Sequence, residues 1–271
     1  MNNATDTNTN TNTPSPENTS ARPVALITGG SRGLGRSMAA HLAARGVDLI
    51  ITYRTRREDA DEVVAAARAA GRRAVALQLD VADAASFAAF AEAVRGELRR
   101  CFEQESFDYL VNNAGVGAHA SFTETTEAQL DAMYKIHVKG PFLLTQRLLP
   151  LLKDGGRILN ISTGLTRIII PGYDAYAAMK GAVEVLTRYQ AKALGGRRIA
   201  VNTLAPGAIE TDFGGGAVRD NRELNAMLAA DTALGRVGLP DDIGAAAAAL
   251  LAPACAWITG QRIEASGGQH L

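Results

Sequence analysis

The chain has 271 residues and a formal net charge of zero, with 28 Lys plus Arg against 28 Asp plus Glu. That balance gives no electrostatic footprint for a nucleic acid or an anionic membrane surface. The two cysteines, Cys101 and Cys255, lie far apart without metal-ligand spacing, which argues against a zinc site and a disulfide framework and fits a reducing, cytoplasmic setting.

The first 20 residues, MNNATDTNTNTNTPSPENTS, hold 12 Asn or Thr and lack the basic start and apolar stretch of a signal peptide. Residues 1–21 are expected to be a disordered tail, and Asn3-Ala4-Thr5 and Asn18-Thr19-Ser20 to be chance triplets rather than glycosylation sites. Residues 22–271 read as one domain. In it VALIT, DLIITY, AVALQL, DYLVN, GRILNIS, RIAVNTL and QRIEAS are expected to be strands. Helices are expected over Gly33 to Arg45, Glu58 to Ala70, Ala84 to Phe102, Glu127 to Leu152 with a kink at Pro141, and Ala175 to the Gly195-Gly196 pair. Between Ala208 and Thr232 the periodicity fails, so a mobile lid carrying one short helix is expected there, with Gly214 to Gly216 as its source of freedom. The apolar run Ala245 to Trp257 is broken by Pro253 and is too short to span a bilayer. Continuous apolar strands alternating with amphipathic helices imply a doubly wound parallel α/β sheet of the Rossmann type, with about seven strands and helices on both faces.

The stretch ALITGGSRGLGRSMAAHLAARG places Gly29, Gly33 and Gly35 between an apolar strand and a helix. Glycines there permit a tight turn and close approach of a ligand, and the free amides of the helix start favour a pyrophosphate, so a dinucleotide is the expected ligand. The second strand ends in ITYRTRRE, with Tyr53, Arg54 and Thr55 where an NAD site usually carries a carboxylate for the ribose hydroxyl. Arg54, with Arg32 inside the glycine loop, points to the 2′-phosphate of NADP, and the competing reading is two solvated surface charges. Further along, Tyr176 and Lys180 are four residues apart and share one helix face, where an ammonium can favour the phenolate and so tune an acid–base group.

Five motifs in register, TGGSRGLG (Thr28 to Gly35), LDV (Leu79 to Val81), NNAG (Asn112 to Gly115), YAAMK (Tyr176 to Lys180) and PGAIET (Pro206 to Thr211), resemble the short-chain dehydrogenase/reductase family. The likeness is to its NADP-preferring, 3-oxoacyl-reductase-like branch. The resemblance implies strand order 3-2-1-4-5-6-7 and a homo-oligomer, tetramer or dimer, built on the fourth and fifth helices and the last strand. It further implies that Ser31 and Leu34 join the glycine loop, that Asp80 and Val81 meet the adenine, and that Asn113, Ala114 and Gly115 hold the cofactor. Pro206, Gly207, Ile209 and Thr211 would close over the nicotinamide, and Asn112 would brace the loop.

The resemblance also implies a serine 13 residues before the tyrosine and an asparagine in the fourth helix, and this chain carries Thr163 and His137 at those places. Thr163 keeps the hydroxyl but narrows its rotamers; the neighbouring Ser162 would point to the opposite face of a strand. His137 either relays protons through its imidazole, adding pH sensitivity, or props the helix through a backbone hydrogen bond. The implied activity is NADPH-dependent interconversion of a carbonyl and a secondary alcohol, with Tyr176 giving the proton, Lys180 tuning it and Thr163 orienting the carbonyl. Leu165, Ile168, Ile169, Tyr173, Phe213 and Met227 are candidates for the pocket wall, and Arg167 and Arg219 for an acidic substrate or acyl carrier. The β-ketoacyl thioester, the small ketone and the sugar or polyol stay open as substrates. Two rival readings are a cofactor-binding regulator or scaffold without turnover, and a structural subunit of a hetero-oligomer. No metal is expected.

Overall fold

A computed structural model describes residues 22–271; the tail expected over residues 1–21, with its two triplets, lies outside the described residues. Seven parallel strands form a single sheet in the order β3-β2-β1-β4-β5-β6-β7. They are β1 (Val24–Ile27), β2 (Asp48–Tyr53), β3 (Ala74–Gln78), β4 (Phe107–Asn112), β5 (Leu152–Ile161), β6 (Ala200–Pro206) and β7 (Arg262–Ala265). The sheet's centre reads as unbroken apolar runs because both faces are covered, and every residue of β1, β2 and β6 is buried.

On one face lie α1 (Gly33–Ala44), α2 (Arg57–Ala69) and α9 (Pro240–Leu250), which close a core around Ile27, Met38, Leu49, Ile51 and Ile243. On the other, α3 (Phe87–Glu97), α5 (Gly140–Leu148) and α6 (Asp174–Leu194) cover Leu26, Ile50, Phe107, Leu110 and Val201. Each fully buried aliphatic or Phe side chain contributes about 1.5–3 kcal/mol. No helix among the described residues is long and apolar enough to cross a membrane.

Three elements depart from the sequence expectation. The helix expected over Glu127 to Leu152 is divided into α4 (Glu127–Tyr134), a π turn (Lys135–Lys139), α5 and a 3-10 turn (Leu149–Leu151), and Leu152 already belongs to β5, where it pairs with Phe107. Pro141 has no N–H for the carbonyl four residues earlier, so the ladder opens at the turn before it rather than bending at the proline. The lid carries two short helices, α7 (Ala217–Asp220) and α8 (Arg222–Ala230), instead of one. The helix α9 was not expected, because its run of alanines offers no polar contrast to set a period.

Candidate active site

The carboxyl ends of β1, β4, β5 and β6 converge at one edge of the sheet, where the expected site residues gather. The turn after β1 is built on close backbone contact: a Cβ added at Gly35 would sit 2.1 Å from the Gly29 carbonyl oxygen. Asn113 clamps this turn, its Nδ2 donating to the carbonyls of Thr28 at 2.9 Å and Gly29 at 3.0 Å. Thr28 completes the clamp, since its Oγ1 accepts from the amides of Asn113 (2.9 Å) and Ala114 (3.0 Å). Its role was missed in the sequence, although it opens the glycine motif.

The helix that follows leaves its first amides free. Arg32 at the N-cap makes no side-chain cap, and no acid sits in the first turn. By contrast α4 has a Thr126/Gln129 capping box and α8 an Asn221 cap. An uncapped helix start behind a glycine turn fits a pyrophosphate, so these residues suit a dinucleotide. Ser31 is buried in the turn, and Leu34 packs against the core behind it.

At the end of β2, Arg54 and Thr55 are exposed beside the site, but Tyr53 is buried in the core beneath α2. Alternation along the strand places the Tyr53 ring in that core, on the face of the sheet covered by α1 and α2. Arg32 is exposed and lies 3.8 Å from the lid carboxylate Asp212. Asp80 is exposed, with its Oδ1 accepting from the Ala82 amide at 2.9 Å, while Val81 is buried next to it. Asn112 is buried and ties the end of β4 to α5 and β5 rather than bracing a loop, donating to Thr145 Oγ1 (3.1 Å) and Asn160 Oδ1 (2.8 Å). Gly115 lies against the His137 ring, which a Cβ there would strike at 2.8 Å.

From the far side, Pro206 ends β6 and Gly207 packs on Ser266, where a Cβ would meet that side chain at 2.7 Å. Ile209 bridges to Gly238, and Thr211 comes within 3.9 Å of where a Gly33 Cβ would be, so the segment after β6 reaches the glycine turn.

Tyr176, Lys180, Thr163 and His137 are brought together, all buried. Burial pushes the Tyr176 phenol above its usual range, and a hydrogen bond from the Thr163 hydroxyl pulls it part of the way back. The expected lowering by Lys180 is therefore not what governs the phenol here. The Lys180 ammonium donates to the Ile161 carbonyl at 2.7 Å and lies 5.7 Å from the centre of the Tyr176 ring, and burial lowers its own pKa to about 8. Thr163 Oγ1 accepts from the Leu165 amide at 3.3 Å and keeps its own hydrogen free to donate.

Ser162 points the other way, its hydroxyl donating to Glu184 at 2.7 Å. His137 sits at the centre of the π turn with its ring edge-on to Tyr176, centroids 5.2 Å apart. Its Nε2 bonds the Val116 carbonyl at 2.8 Å, and because a carbonyl only accepts, that nitrogen carries the proton. Its Nδ1 is buried without a protein partner among the described residues. Burial, and then the charge of Lys180, lower its pKa to about 3. The expected pH sensitivity near neutrality is thus corrected: the imidazole stays neutral there, a prop with one lone pair to spare.

Of the pocket candidates, Tyr173 and Phe213 flank Tyr176, with ring centroids 6.5 and 5.3 Å away, and His119 stands edge-on to Tyr173 at 5.3 Å. A cleft of about 570 Å3 opens beside them, lined by His119, Ser121, Gln129 and Pro171 among others. Leu165 and Ile168 are half-buried, whereas Ile169 (92 % exposed) and Met227 (61 %) are exposed. Arg167 pairs with Glu264 and Arg219 with Asp212 and Asp220, and both guanidinium groups stay partly exposed. Among the described residues no group of three or more His, Cys, Asp or Glu could hold a metal ion.

The chain has relatives among known proteins. Residues 29–270 match the family model described as enoyl-(acyl carrier protein) reductase. A hydroxynaphthalene reductase-like protein of Metarhizium brunneum is 35 % identical over 262 residues, covering 92 % of this chain and 95 % of that protein. Among solved structures, LugOII, a promiscuous reductase that catalyses keto-reduction at C1 during lugdunomycin biosynthesis, superposes with a TM-score of 0.87 at 38 % identity, covering 92 % of this chain and 98 % of that one. The angucycline C-6 ketoreductase LanV, solved with bound NADP, superposes with a TM-score of 0.86 at 35 % identity, covering 92 % and 95 % of the two chains. With the sheet order, the glycine turn and the Tyr176–Lys180 pair, these likenesses make the chain a member of the short-chain dehydrogenase/reductase family of oxidoreductases.

Proposed function

We propose that the protein reduces a ketone to a secondary alcohol with NADPH, in a direction that reverses when the alcohol is in excess. The observation that carries this reading is the pairing of two hydroxyls, Tyr176 and Thr163, in one buried pocket with Lys180 behind them. Two adjacent hydroxyls, each able to donate, suit a carbonyl oxygen, which gains negative charge as its carbon is attacked. NADPH, when bound, supplies the hydride. The uncapped start of α1 would hold the pyrophosphate, with Arg32 and Arg54 at the 2′-phosphate. Tyr176 passes its proton to the substrate oxygen, and a phenol raised by burial keeps that proton until the developing alkoxide takes it. Thr163 orients the oxygen, and Lys180, buried and cationic below pH 8, stabilises the phenolate left behind.

The family model's description names an enoyl reductase. The paired hydroxyl donors suit an oxygen on the very carbon that takes the hydride, as in a ketone; in an enoyl thioester the charge develops on an oxygen two carbons from the one attacked. His119, Tyr173, Tyr176 and Phe213 make the mouth aromatic, and flat ring systems stack well on such walls. With angucycline and hydroxynaphthalene named for its relatives, this favours a polycyclic aromatic ketone as substrate. Exposed Leu130, Tyr134 and Phe142 on α4 and α5, with Val185 and Tyr189 on α6, support a homo-oligomer joined through these helices. The test is a panel of aromatic and aliphatic ketones with NADPH oxidation followed by absorbance. Turnover of aromatic ketones supports the reading, and tight NADPH binding with no turnover on any ketone would replace it by the scaffold reading.

A further inference from the structure

Behind the two hydroxyls lies a second set of polar groups that touches neither the pocket nor the cofactor turn. Glu184, one helical turn beyond Lys180 on α6, accepts from Ser162 Oγ (2.7 Å), Thr166 Oγ1 (2.8 Å) and Arg262 Nε (2.8 Å). Arg262, on β7, spends its remaining nitrogens on Glu264 (2.8 Å), on Thr166 Oγ1 (3.2 Å) and on the backbone carbonyl of Thr163 (3.3 Å). Both members of the central pair are mostly buried, with side-chain exposures of 19 % and 14 %. An ion pair placed like this gains little as a stabiliser over an apolar pair of the same shape, because desolvation offsets most of the attraction. Its distinctive property is geometric: the planar guanidinium fork fixes several partners at once.

Those partners bracket the reactive hydroxyl. Thr163 is the last extended residue after β5 before the chain turns into a short 3-10 turn, which its side chain caps by accepting from the Leu165 amide. Ser162 is tied down on one side of it and Thr166 on the other, and its own carbonyl is held by Arg262. Glu184 shares α6 with Tyr176 and Lys180, so the same network also fixes that helix against the end of β5. We propose that the Arg262–Glu184 pair is a positioning device that aims the Thr163 hydroxyl at the oxygen shared with Tyr176, and that Ser162 serves in this brace rather than in the chemistry. A threonine at this place demands such a brace, since its methyl leaves fewer rotamers that reach the target. Errors of about 1 Å in a reacting group cost on the order of 100-fold in rate.

The proposal rests on the reading of Tyr176 as proton donor, and its test is a double-mutant cycle on an accepted ketone. Arg262→Gln should lower kcat by roughly tenfold or more, with the NADPH dissociation constant, read from nicotinamide fluorescence, unchanged. In a Thr163→Ala background the same substitution should lower kcat hardly further, because no hydroxyl remains to be aimed. Losses that add in the two backgrounds, or a parallel fall in NADPH affinity, would overturn the proposal and show a merely structural pair. If Arg262→Gln fails to fold, Glu184→Gln keeps the acceptor for Ser162 and Thr166, removes the charge opposite Arg262, and carries the same cycle with the same two outcomes. Retention of full turnover by Tyr176→Phe would sink the underlying reading, whereas an additive cycle in an enzyme that needs Tyr176 sinks the positioning role alone.

Discussion

The two halves of the site are held in different ways. The cofactor half, from the turn after β1 to the loop after β4, is fixed at its own backbone: Gly35 packs on the Gly29 carbonyl, and the side chains of Thr28 and Asn113 clasp backbone amides and carbonyls of the turn. The substrate half is fixed by side chains far apart in sequence, such as Arg262 on Thr163 and Arg167 on Glu264, and by a lid that returns over it with Phe213 against Gly117. A backbone-built half tolerates almost no change of side chain at its contacts. A side-chain-built half can be re-aimed by single substitutions, which is the physical basis for one fold serving many ketones.

The sharpest way to break that contrast is at Gly35. Gly35→Val would drive a branched side chain into the Gly29 carbonyl, and overpacking of this kind costs roughly 1–3 kcal/mol or more. NADPH binding by fluorescence titration should be lost and the melting temperature should fall; a variant that binds NADPH normally would contradict the backbone-built account. Next in size is the edge of that half. Arg32→Ala with Arg54→Ala should raise KM for NADPH by roughly tenfold, as for the loss of one or two charge-assisted hydrogen bonds, and leave KM for NADH unaltered. An equal rise for both cofactors would place the two arginines outside the 2′ site.

His137 gives a smaller effect with a definite sign. Its folded pKa of about 3 lies below the ordinary 6.5, so between these values the unfolded chain binds the extra proton. Its contribution to stability is therefore present above pH 6.5 and is lost as the pH falls toward 3, by up to about 1.4 kcal/mol per pH unit. His137→Asn removes a titrating group while keeping a donor for Val116, so wild type and variant should diverge in melting temperature below pH 6 and run parallel above pH 7. Parallel curves throughout would mean the imidazole is not shielded as described. The smallest effect belongs to the lid: Gly215 has φ of +74° and open space around it. Gly215→Ala should cost only about 1 kcal/mol of left-handed strain, seen as a slight drop in kcat with no change in cofactor affinity.

The same contrast governs what could be read from the sequence. The glycine turn and the Tyr176–Lys180 pair were legible because local spacing determines them, whereas the sheet order and Asn113 were implied only by the family resemblance, and counting against that family's motif chose Thr163 over Ser162 before the structure showed Ser162 bound to Glu184. Arg262 and Glu184 were not legible. They are 78 residues apart and meet only because β7 is the strand beside β6 and α6 packs on it. The core packing of the Tyr53 ring was not legible either, because the face of a strand flips with each residue, and a motif fixes the strand's end better than its parity. The altered titration of His137 follows from burial in a π turn that only Pro141 hinted at.

The central claim is that Tyr176 delivers the proton in an NADPH-dependent ketone reduction. Tyr176→Phe keeps the ring that packs between His137 and Phe213 and removes only the hydroxyl. Measured beside the wild type on the best ketone of the panel, it should bind NADPH with unchanged affinity and lose turnover by a factor on the order of 100 or more. Undiminished turnover by this variant would contradict the account.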